Sequence, residues 1–72
     1  MEHQVARVLT YLRGDAGITR AELARRAGVH AAQVTRWETA DALPSLDVFC
    51  RLAVALGHRP SALMRMVAED VI

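Results

Sequence analysis

This chain of 72 residues has no lysine, one cysteine, two prolines, and one each of tryptophan, tyrosine and phenylalanine. A single cysteine, Cys50, excludes an internal disulfide and fits a reducing compartment, so a cytoplasmic location is expected. No apolar run reaches the roughly 18 residues of a membrane span, and Met1-Glu2-His3-Gln4 lacks the pattern of a signal peptide, so no membrane is expected. No stretch alternates with period two over a useful length, which argues against a sheet. His3, His30 and His58 have no ligand spacing with one another or with Cys50, so neither a metal nor any other cofactor is expected. No Ser/His/Asp set or paired carboxylates stand out in so short a chain, and an enzyme is not expected. No linker, low-complexity tract or repeat divides it, so residues 1–72 read as a single domain.

What is present points to helices. Alanine supplies 13 of the positions behind a hydrophobic fraction of 53%, so the core is thinner than that figure suggests and the composition favours a small all-α bundle. Net charge is only +1, a weak argument for a polyanionic partner, but its distribution is uneven. Residues 1–36 hold six arginines against three acids, and residues 37–72 hold three against five. One half is basic and the other acidic. All nine cations are arginine, the side chain suited to forked contacts with phosphate and guanine, although high-GC codon usage inflates arginine and alanine alike.

Five helical segments can be marked. Val5, Val8, Leu9 and Leu12 follow helical spacing in a segment from about Glu2 to Arg13, with Gly14-Asp15-Ala16-Gly17 as its break. Thr19 is a natural N-cap for a second helix, with Glu22 three residues on as capping-box partner. Gly28 closes that helix, and His30 caps a third that runs to about Glu38 and buries Val34 and Trp37. Thr39 to Leu43 reads as a loop. After Pro44-Ser45, an apolar stripe of Leu46, Phe49, Leu52, Ala53 and Leu56 marks a fourth helix that Gly57 stops. Pro60 opens a fifth, about 60–71, carrying Leu63, Met64 and Val67. Cys50 reads as a small buried hydrophobe. Arg25 and Arg26 lie on the outer face of the second helix, as apt to be merely solvated as to touch a polyanionic partner.

Ile18 to Glu38 is the most telling stretch: two short amphipathic helices joined by Gly28-Val29-His30. It resembles the Cro-like phage-repressor (XRE) class of helix-turn-helix proteins. With Arg20 as the first motif position, small Ala24 sits fifth and Gly28 ninth, while Leu23, Ala27, Val29, Val34 and Trp37 take the buried places. The likeness runs from Val5 to about Met64 and includes Pro44-Ser45 and the Leu52-Ala53, Ala55-Leu56-Gly57 end of the fourth helix. It implies a compact five-helix, lambda-repressor-like DNA-binding domain with its motif at 20–38. It also implies a recognition helix that aims Ala31, Ala32, Gln33 and Arg36 at base edges of double-stranded DNA. Gln33 would meet adenine or a phosphate, and Arg36 guanine O6 and N7. Thr19 and Arg20 would hold a phosphate at the second helix's N-terminus, with His30 and Arg13 as further phosphate contacts. Arg13 would pair with Glu38 and lock the angle of the third helix. The chain departs from the family pattern at Arg20, where glutamine is common, at His30, where serine or threonine is usual, and at Thr39-Ala40-Asp41-Ala42, where Asn-Gly or Arg-Gly is usual and Asp41 would repel a phosphate.

The fifth segment carries more apolar residues than a short helix buries in so small a bundle. Met64, Met66, Val67, Val71 and Ile72 are therefore expected either to pack back on the first helix or to form the seam of a homodimer, with the seam favoured. The function expected is a dimeric transcriptional regulator, a repressor on a palindromic operator. The alternative is an interaction module of the same fold, antitoxin-like, that binds a toxin as well as or instead of DNA. Alanines at 31 and 32, Asp41 and the low net charge motivate the latter.

Overall fold

In a computed structural model, residues 1–70 are described and form five helices: α1 (Glu2–Ala16), α2 (Arg20–Ala27), α3 (Ala31–Glu38), α4 (Leu46–Ala55) and α5 (Pro60–Glu69). Among the described residues there is no strand, and no helix is long and apolar enough to cross a membrane. α1 is a turn longer than the break at Gly14 predicts. Gly14 is helical, and it is Gly17, at φ 69°, that ends the helix: its N–H donates to Gly14 O and the next N–H, of Ile18, to Arg13 O. The left-handed step needed at C′ decides which glycine stops a helix, and only the second one takes it.

α2 begins where Thr19 Oγ1 accepts from the Glu22 N–H at 3.0 Å. The reciprocal half of a capping box is missing. Glu22 instead accepts from Arg25 and Arg26, one turn on, because charged guanidinium donors outcompete a backbone amide. Gly28, at φ 72°, closes α2 and lets Val29 N–H reach Ala24 O at 2.9 Å. That tight connection turns α3 across α2. Small Ala24, 3% exposed, lets the two helices approach.

The core joins all five helices: Val8 and Leu9 of α1, Leu23 of α2, Val34 and Trp37 of α3, Phe49 and Leu52 of α4, and Leu63 and Val67 of α5. Trp37 serves as core, 5% exposed. Ser45 caps α4 through Val48 N–H. Within α4, Phe49, Leu52, Ala53 and Leu56 face inward, but Leu46 is 69% exposed. It is the first residue of the helix, a turn before Phe49, and no neighbouring helix covers it. Cys50 is half-buried rather than fully enclosed.

α5 packs on both α1 and α4. Val67, expected in a dimer seam, is 1% exposed and belongs to this chain's own core, as Leu63 does. The helix thus spends its inward stripe on α1 and α4. Met66 is half-buried, and only Met64 of the described candidates is well exposed. Val71 and Ile72 lie outside the described residues.

Candidate nucleic-acid interface

Ala31, Ala32, Gln33 and Arg36 are all exposed along α3, while Val34, Trp37 and Glu38 of the same helix are buried. The 3.6-residue period thus gives α3 one face for the core and one for solvent. Two methyls, an amide and a guanidinium make up the outer face.

The angle of α3 is fixed at its C-terminal end. The Glu38 side chain is fully buried and receives two arginines: Arg13 Nε at 2.7 Å and Nη2 at 3.1 Å, and Arg20 Nε at 2.9 Å. Arg13 Nη1 also donates to Ile18 O at 2.9 Å. One carboxylate therefore ties α1, the start of α2 and the end of α3 together. Its hydrogen bond holds the Arg13 guanidinium above the usual arginine range, against a smaller opposing effect of burial. Arg20 thus has a second role beside the phosphate contact the resemblance implies. Its Nε faces Glu38 while the side chain stays 40% exposed, leaving its terminal nitrogens for an outside anion. Thr19 and His30 are exposed at the N-termini of α2 and α3.

Both polar side chains on the outer face of α3 are held by the protein itself. Gln33 Oε1 accepts from the His30 N–H at 3.0 Å, reaching back to the helix start as an N3 glutamine does. Only its Nε2 donors remain free, so bidentate pairing with adenine would require the cap to open. At the other end, Arg36 Nε donates to Asp41 Oδ2 at 3.0 Å. The spacing of His30 and Gln33 carried the first signal. The second had none, because Ala40 does not mark the turn that brings Asp41 back. The pair of Arg51 with the Ala27 carbonyl, 3.2 Å, which finishes α2 from α4, was equally silent. Among the described residues, no cluster of His, Cys, Asp or Glu could hold a metal ion.

Solved structures share this architecture. The clp gene regulator ClgR from Corynebacterium glutamicum superposes with a TM-score of 0.87 at 22% identity, over 96% of this chain and 73% of that one. A second ClgR structure from the same organism gives 0.84 at 21%, over 99% and 92%. An HTH_3 family transcriptional regulator from Vibrio cholerae gives 0.81 at 25%, covering 89% of this chain but only 36% of its own length. No curated protein matches the chain significantly. The family described as helix-turn-helix domain matches residues 4–65. Most of the sequence and the whole α2–turn–α3 unit fall within that match, and the chain belongs to the helix-turn-helix domain family.

Proposed function

We propose that this chain is a DNA-binding transcriptional regulator that lays α3 in the major groove of double-stranded DNA. One observation carries the reading. α3 exposes Gln33 and Arg36 on one face and is clamped by Glu38 to α1 and α2, which is what a helix needs to present side chains to base edges in a fixed register. Arg36 takes guanine O6 and N7. Gln33, its oxygen already engaged, offers its amide donors to a purine N7 or a phosphate, and Ala31 and Ala32 allow close approach to thymine methyls or sugar. Arg20, Thr19, His30 and Arg13 lie nearer the backbone, where the N-terminus of α2 favours a phosphate. A protein bound over a promoter blocks access to it, and repression is the form we propose.

One domain reads one half-site, so a palindromic operator calls for a pair of chains. The Cα atoms span 27 × 24 × 22 Å. With side chains added, two copies side by side match the roughly 34 Å between half-sites one DNA turn apart. The face we assign to the second copy is apolar: exposed Met64 lines a groove with Leu43, Pro44 and Leu46. Sedimentation of the wild type and of Met64→Glu tests it. A dimer that dissociates in the variant supports the assignment, and an unchanged monomer in both defeats it.

Fluorescence anisotropy against DNA selected from a random pool tests the main reading. It requires an enriched sequence, loss of affinity in Arg36→Ala, and weakening with salt as phosphate contacts release counterions. Failure to enrich any sequence, with a protein partner co-purifying from the host instead, would favour an interaction module that binds a toxin.

A further inference from the structure

The end of α3 is built so that two side chains meet. Asp41 N–H donates to Arg36 O at 2.9 Å and Ala40 N–H to Trp37 O at 3.4 Å, around Ala40 in the left-handed region at φ 61°. These are the paired six-to-one and five-to-two bonds of a Schellman turn, which places the residue two past the cap beside the residue one turn back in the helix. An apolar contact commonly fills that place. Here the two residues are Asp41 and Arg36, and the carboxylate lies on Nε at 3.0 Å. Thr39 Oγ1, donating to Thr35 O and Arg36 O, braces the same turn.

Which nitrogen is held matters. A guanidinium grasped at Nε loses its swing about the last torsions yet keeps the Nη1–Nη2 edge, and among the described residues those two atoms make no hydrogen bond. That edge spans the O6 and N7 acceptors of guanine. We propose that Asp41 is a positioning residue for Arg36: the turn after α3 fixes its carboxylate on Nε and aims the terminal nitrogens as a paired donor at guanine. This rests on the DNA-binding reading above and reverses the sign of Asp41, from a charge that merely repels phosphate to one that sharpens base choice.

Site selection from randomised DNA, run in parallel on the full chain and on Arg36→Ala, Asp41→Ala and Asp41→Asn, tests it. The wild type selects guanine at one position of each half-site and Arg36→Ala loses it. Asp41→Ala weakens that preference about tenfold, within the range a bidentate guanine contact supplies. Asp41→Asn, whose amide oxygen still accepts from Nε, restores most of it. Guanine preference intact in Asp41→Ala, or Asp41→Ala and Asp41→Asn both binding all sequences more tightly, overturns the proposal while leaving DNA binding standing. A wild type that selects no sequence removes the DNA reading and this inference with it. Without DNA, the Arg36 Nε–H resonance in nitrogen-15 spectra exchanges slowly in the wild type and Asp41→Asn and rapidly in Asp41→Ala. Equal exchange in all three refutes the brace. The Asp41 side chain is 66% exposed, so the variants keep the fold, which circular dichroism verifies.

Discussion

Ala40 occupies a backbone conformation, φ 61°, that a β-carbon resists. A left-handed residue other than glycine or asparagine costs about 1–2 kcal/mol, part of which glycine gives back as extra freedom in the unfolded chain. Ala40→Gly is therefore expected to stabilise the protein by about 0.5–1 kcal/mol, seen as a higher denaturant midpoint at unchanged slope. The same residue explains a failure of sequence reading. Glycine at this position announces a turn, whereas Thr39-Ala40-Asp41-Ala42 reads as loop, and the meeting of Arg36 with Asp41 was hidden behind it. Gln33 differs: its place three residues after His30 is the spacing of an N-terminal cap, and the capping role was readable there. Which side chains face outward on α3 was legible from the resemblance, with Val34 and Trp37 marking the inward face. What holds Arg36 was not, because its partner lies across a turn whose geometry the sequence does not signal.

At the level of the helix, α1 and α2 each carry a prediction. Gly14 is helical and exposed, and a β-carbon added there meets nothing within 4 Å. Gly14→Ala should stabilise α1 by about 0.5–1 kcal/mol, read by thermal unfolding. In α2, hydrogen bonds from Arg25 and then Arg26 hold the Glu22 carboxyl at about 2, below its ordinary 4.5. The folded value lies below the unfolded one, so the stabilisation is complete above about pH 4.5 and is lost as pH falls towards 2. Glu22→Gln should lower the melting temperature at pH 7, and the gap from wild type should nearly close at pH 2. A gap that persists at pH 2 would assign the loss to something other than the ionised carboxylate. The starts of α2 to α5 agree with their caps and with Pro60, since capping is local chemistry. The end of α1 does not, because either of two glycines close together can stop a helix.

Across the whole molecule, Glu38 is where three helices are joined. Glu38→Ala leaves two arginines facing a site built for a carboxylate. Both still reach solvent, so the expected cost is about 3 kcal/mol, the low end for breaking a buried pair. Trp37, the only tryptophan, is the adjoining residue in the core, so its fluorescence reports the change. In the wild type its transition should coincide with loss of helix by circular dichroism, as one cooperative core requires.

Among the described residues, eight of the nine arginines stand within 4 Å of a carboxylate, from Arg7 on Asp70 to Arg65 on Glu69. On the proposed reading, an arginine whose charge passes wholly to a phosphate exchanges one anion for another. Salt then acts on both sides of that exchange, loosening the internal pair that must open as well as the contact that forms. The affinity of such a protein falls less steeply with ionic strength than its arginine count implies. Its basic half is a set of charges on loan to its own acids, released only where DNA offers a better geometry.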